Sequence, residues 1–142
     1  MINTIDTSNP VVKLCMEGSR AEFEGRKEDA YRLYRQTWEI QTNDYEGSIA
    51  AHYVARSKET PEDIFFWNMT ALALALKSES ESVKDFLPSL YLNLGNSYEQ
   101  MGHIDQAQAF FKKAIDKAGE ISESHAEMVK NAISENHLKF QE

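Results

Sequence analysis

YLNLGNSYEQMGHIDQAQAFFKKAIDKA, residues Tyr91 to Ala118, is two helical stripes joined by a turn. Tyr91, Leu94, Gly95 and Tyr98 recur at i, i+3, i+4 and i+7, the spacing that lines one face of an α-helix. Gly95 has no side chain, so a neighbouring helix can come close at that point. After Met101-Gly102-His103, the residues Ala107, Phe110, Phe111, Ala114 and Ile115 repeat the periodicity on a second stripe. The stretch predicts two antiparallel helices packed through small residues.

Tyr91-x2-Leu94-Gly95-x2-Tyr98, followed by Ala107-x3-Phe111, resembles the signature of the tetratricopeptide repeat (TPR) family at its proper spacing. Gly119 stands where that family usually carries a proline, and it predicts a helix stop there. The resemblance implies an all-α fold of antiparallel hairpins stacked as a short right-handed superhelix, about three repeats plus a C-terminal capping helix. His52 to Asn68, HYVARSKETPEDIFFWN, followed by Leu87 to Gly102, LPSLYLNLGNSYEQMG, is similar to segments of small stand-alone bacterial members of the family. Those members are characterised by fold far more than by activity.

A chain of 142 residues predicts one domain over residues 1–142, long enough for a continuous core. Its net charge of −8, from 15 basic and 23 acidic residues, argues against nucleic acid and against an anionic membrane surface. Cys15 is the single cysteine, which excludes an internal disulfide and reads as a small buried apolar residue. The opening MINTIDTSNP lacks a basic start and an apolar core, and no run reaches the roughly 18 apolar residues of a membrane span. These features predict a cytoplasmic protein.

Along the chain, Asn9 can cap a first helix with Pro10 at its first position, and Gly25 closes that helix after about Glu24. A second helix from about Lys27 carries Ala30, Leu33, Tyr34, Thr37, Trp38 and Ile40. This pair is a degenerate copy of the stretch quoted first: the step from Gly18 to Ala30 equals that from Gly95 to Ala107, and Tyr34 takes the place of Phe111. Helix three follows Asn43-Asp44 with a small-residue face of Gly47, Ala50, Ala51 and Val54. Thr60-Pro61-Glu62-Asp63 starts helix four with a capping threonine, a proline at the first position and acids in the first turn. Its run IFFWNMTALALAL is apolar nearly all round, so helix four is expected to be the most enclosed element.

The acidic linker Ser78 to Ser82 breaks the repeat phase. Helix five starts either early, with Ser82 and Asp85 as a capping box, or at Pro88. Ser122 or Ser124 opens a last helix whose stripe is Met128, Val129, Ala132, Ile133 and Leu138. The expected hairpins cover about 10–42, 44–77 and 83–119, and the capping helix about 122–140.

No phosphate-binding glycine loop, zinc-binding H-E-x-x-H or serine elbow occurs, so no catalytic, cofactor-binding or metal-binding residue is assigned and no enzyme is expected. His103, His125 and His137 form no recognised ligand set. The resemblance implies recognition instead: in that family the first helix of each hairpin lines a concave groove that holds protein or peptide segments. By position, the candidate groove residues are Leu92, Asn93, Asn96, Glu99 and Gln100 in the third repeat, with Ser19, Glu22 and Phe23 in the first. In the middle repeat one register exposes Ser48, His52 and Arg56, and the other exposes Ile49, Tyr53 and Arg56. The lysines of the two-carboxylate clamp found in some relatives are missing, so chaperone-tail binding is not expected.

Three functions stay open at this point, the weakest of them an unrecognised enzyme that would depend on His52 or Arg56. The first is a non-catalytic adaptor for a protein or peptide. The second is a regulatory protein with a polar pocket for a small molecule or anion around Arg56 and His52, which stand four apart on one helix. A homodimer is compatible with all three, since apolar residues on an uncapped end of the stack would be buried by a second copy.

Overall fold

The structure is a computed structural model that describes residues 7–141, with side chains described through residue 135. The first six residues of the expected irregular lead, and the side chains of His137 and Leu138, lie outside that range. The described residues form seven α-helices: α1 (Pro10–Phe23), α2 (Lys27–Ile40), α3 (Asp44–Ala55), α4 (Pro61–Lys77), α5 (Val83–Gln100), α6 (Ile104–Ile121) and α7 (Glu123–Gln141). They group into two compact units that divide between Val83 and Lys84.

In the first unit, α1 pairs with α2 and α3 with α4, and α3 also packs on α1 and α2. Local chemistry sets the starts. The Asn9 side chain accepts from the Val11 and Val12 amides with Pro10 at the first helical position. Thr60 accepts from the Asp63 amide at 3.1 Å ahead of Pro61. Asn43, rather than Asp44, caps α3. Gly25 turns α1 into α2 at φ +83°, a left-handed conformation that costs glycine little, with the Arg26 amide reaching back to the Ala21 carbonyl at 2.8 Å.

The core of this unit joins Val11, Cys15 and Ala50, with Trp38, Ile49 and Tyr53 against them, to a cluster of Ala21, Ala30 and Tyr34. Cys15 is buried as expected, and burial pushes its thiol up to about 12. Gly47, Ala50, Ala51 and Val54 of α3 are all buried, which is what lets α4 approach.

Helix α4 departs from expectation. It buries only Asn68, Ala71, Leu72 and Ala75, while Phe66 is 60% and Leu76 58% exposed. Apolar composition around a helix does not by itself cover it: α4 packs on α3 and its Trp67 reaches Trp38 of α2, while Phe66 and Leu76 stay exposed.

In the second unit, α5 and α6 form the hairpin expected from Tyr91 to Ala118. Gly95 faces the Phe111 ring, and the ring of Phe110 meets those of Tyr91 and Tyr98 at 6.0 and 5.2 Å. Gly102 makes the turn at φ +82°. Helix α5 takes the early start: it begins at Val83 and carries Pro88 in its interior. Gly119 does not stop α6, which runs on to Ile121. Gly119 faces α7 instead, where a methyl group would sit 4.0 Å from the Ala126 Cβ. Ser122 ends α6 and accepts from the His125 amide at 3.1 Å, so it also starts α7. Val129, Ala132 and Ile133 of the expected stripe are half-buried, and Met128 points outward at 64% exposure.

Both units repeat one local design. Gly18 faces Tyr34 as Gly95 faces Phe111, Gly25 turns the chain as Gly102 does, and Ala30 and Ala107 are both buried. Each of these four pairs is separated by the same interval of 77 positions, as from 18 to 95. The degenerate first copy is therefore a copy in packing as well as in spacing.

Candidate functional site

Helix α3 carries the middle group of candidate residues, and both of its ends are fastened to the first hairpin. At its start, Asn43 accepts from the Glu46 amide at 2.9 Å. The Glu46 carboxylate, only 9% exposed, accepts from Asn9 Nδ2 at 2.9 Å, from the Thr42 amide at 2.9 Å and from Thr42 Oγ1 at 3.1 Å. Burial alone would raise this carboxyl, but those donors outweigh it and hold Glu46 below its ordinary range. Glu46 was not among the sequence candidates. Its signal was present as Asn43-x-x-Glu46, the spacing of a capping box ahead of a helix.

At the other end, Arg56 forms the C-cap of α3 and donates from Nε to Glu22 Oε1 at 2.9 Å and from Nη2 to Glu22 Oε2 at 2.8 Å. Tyr34 donates to the same Oε1 at 2.8 Å. Helices α1, α2 and α3 therefore meet at one carboxylate. The Arg56 guanidinium holds Glu22 below the usual carboxylate range, and Glu22 raises Arg56 in turn. Burial, with Glu22 beside it, pushes the Tyr34 phenol up to about 12.

A column of rings runs from this point along α3. Tyr31 and Tyr34 are 6.4 Å apart, Tyr34 and Tyr53 5.2 Å, and His52 and Tyr53 4.9 Å edge to face. Burial first, and then the Arg56 charge, push His52 down to about 4. The imidazole is thus neutral at physiological pH and adds no positive charge beside Arg56.

The structure distinguishes the two registers of the middle repeat. Ser48 is fully buried, with its hydroxyl donating to the Tyr45 carbonyl at 2.7 Å, while Ile49 and Tyr53 are half-buried. Ala51, Asn68 and Ala71 are all buried. His52 is also half-buried, so it flanks the Ile49 and Tyr53 row rather than replacing it.

In the second unit, Leu92, Asn96 and Glu99 fall at i, i+4 and i+7 on α5, with Asn93 and Gln100 beside them. Gln100 is exposed and the other four are half-buried. On the reverse face, Leu94 and Gly95 are buried in the hairpin. His52, Tyr53 and Arg56 belong to the first unit and the α5 row to the second.

An open depression of about 540 Å³ lies where α3 begins and α4 ends, lined by Asn43, Asp44, Tyr45, Lys77, Ser78, Glu79 and Ser80. Neither His52 nor Arg56 lines it. Among the described residues, no group of three or more His, Cys, Asp or Glu side chains could hold a metal ion, and no helix is long and apolar enough to cross a membrane.

Compared with known proteins, residues 88–116 match the tetratricopeptide repeat family. No curated protein and no solved structure matches the chain. The matched stretch holds most of α5, the Gly102 turn and most of α6, including the Gly95 and Phe111 contact. By sequence match and by hairpin geometry together, residues 88–116 are a tetratricopeptide repeat.

Proposed function

We propose that this chain is a non-catalytic adaptor that binds a protein or peptide segment through the first helices of its hairpins. The repeat at 88–116 carries this reading, because repeats of this kind suggest protein–protein interaction. Within it, α6 turns Ala107, Phe111, Ala114 and Ala118 inward. Helix α5 keeps a mixed row of Leu92, Asn93, Asn96, Glu99 and Gln100 along one side. An apolar residue flanked by amides and a carboxylate suits an extended segment, whose backbone offers both donors and acceptors. Within the first unit, Tyr53 and His52 would supply contact area of the same kind.

The other reading, an anion pocket at Arg56 and His52, has less support. Both forks of the Arg56 guanidinium already lie on Glu22, and an incoming anion would have to displace that carboxylate. The test of the adaptor is co-purification from native lysate, followed by calorimetry with the purified partner. Asn93→Ala with Asn96→Ala is expected to weaken the complex at least tenfold while circular dichroism stays unchanged. Equal affinity for the double variant and for Tyr53→Ala would overturn the assignment to the first helices.

A further inference from the structure

Helix α4 carries a second pattern besides the one that packs it on α3. Glu62, Phe66, Met69, Ala73 and Leu76 follow at intervals of four, three, four and three, the seam of a coiled coil. The whole seam lies on the open side: Phe66 is 60%, Met69 36% and Leu76 58% exposed, and Glu62, Ala73 and the adjacent Lys77 are exposed as well. Such a row asks for a helix as its partner, because only a helix returns side chains at the matching period.

Its charges point to which helix. The acid Glu62 stands at the start of the seam and the base Lys77 at its end. An antiparallel second copy brings Lys77 of each chain to the Glu62 end of the other. It also lays each Phe66 ring toward the half of the other helix where Ala73 is small enough to receive it. A parallel second copy sets acid against acid and base against base. The seam is thus complementary to itself in one direction only, the condition for a two-fold interface.

We propose that α4 is a self-association surface, through which two copies of this chain pair antiparallel along Glu62, Phe66, Met69, Ala73, Leu76 and Lys77. This is independent of the adaptor reading, which uses the first helices of the hairpins.

Sedimentation velocity on the full chain, from micromolar to millimolar concentration, tests it. The expected result is a shift from the 16.2 kDa monomer to twice that mass. Phe66→Asp, at an exposed position that leaves the fold intact by circular dichroism, is expected to raise the dissociation constant more than tenfold. Glu62→Lys and Lys77→Glu each weaken the dimer severalfold, and the double variant Glu62→Lys with Lys77→Glu restores it. A chain that stays monomeric throughout, a dimer indifferent to Phe66→Asp, or a double variant no better than the singles overturns the proposal.

Discussion

Arg56 at the end of α3 lies flat across the Glu22 carboxylate of α1, with both of its hydrogen bonds at 2.8–2.9 Å. Tyr34 of α2 closes the arrangement from the third side. A residue that reads in sequence as a free cation for a ligand is in the folded chain the clasp of three helices. The Arg56 side chain is nevertheless 51% exposed and that of Glu22 22%, so water competes for the pair.

A double-mutant cycle with Arg56→Ala and Glu22→Gln should therefore return a coupling of about 1 kcal/mol in urea unfolding, above the usual exposed pair because the contact is bidentate. High salt should reduce it. Arg56→Lys, which keeps the charge but loses the fork, should recover less than half of the coupling. A coupling indistinguishable from zero would remove the clasp from the account.

His52 gives the chain a pH dependence of definite sign. Its folded value is pushed down to about 4, below the ordinary 6.5, so between those values the unfolded chain binds a proton that the folded chain does not. Stability must then fall as pH drops from about 6.5 toward 4, by roughly 1–3 kcal/mol. Glu22 and Glu46, both held below the ordinary 4.5, add a further loss of the same sign at lower pH. His52→Gln should flatten the upper part of the curve and leave the lower part in place. Unfolding midpoints at half-unit pH steps would read this directly, and an unchanged slope in the variant would show that His52 is not the group responsible.

The hairpins were legible in sequence because their signals are local. Asn9-Pro10, Asn43 and Thr60-Pro61 name helix starts by residue chemistry, and the glycine at 18 or 95 names a contact 16 residues on. A glycine inside a helix and one that ends it look alike in sequence, so Gly119 reads as a stop although α6 runs on to Ile121 and ends at Ser122. Helix α4 was misread for a related reason: its composition tells how much apolar surface it has, and only the packing tells how much is covered. The Arg56 and Glu22 pair joins residues 34 apart, a contact that no local period announces.

Trp67 shows what that exposure does to energetics. It is half-buried, meeting Trp38 of α2 edge to face at 5.0 Å, with the Lys58 ammonium 5.8 Å from its ring. A fully enclosed tryptophan would cost about 3–5 kcal/mol on truncation to alanine. Trp67→Ala should instead cost about 2–3 kcal/mol, and Trp67→Phe under about 1.5, because it keeps most of the ring contact. Equal losses for Trp67→Ala and Trp38→Ala would fit a pair whose value lies mainly in their mutual contact.

The glycines offer the sharpest test, because the same substitution should change sign with position. Alanine in place of glycine favours a helix interior by about 1 kcal/mol wherever its methyl has room. At Gly119 the nearest atom to that methyl is the Ala126 Cβ at 4.0 Å, an ordinary contact, so Gly119→Ala should stabilise by about 0.5–1 kcal/mol. At Gly95 the methyl would overlap the Phe111 ring, which is itself only 5% exposed and has little space to yield. Gly95→Ala should destabilise by about 1–3 kcal/mol despite the gain in propensity, and Gly18→Ala, set against Tyr34, should do the same. At Gly47 the methyl would meet the flexible ends of Leu74 and Gln41, so the cost there should be smaller than at either. Phe111→Leu should be less harmful in the Gly95→Ala background than alone, since it removes the ring that the methyl strikes. If Gly95→Ala were as stabilising as Gly119→Ala, the close approach of α5 and α6 at Gly95 would be wrong, and with it the contact on which both halves of the chain are built.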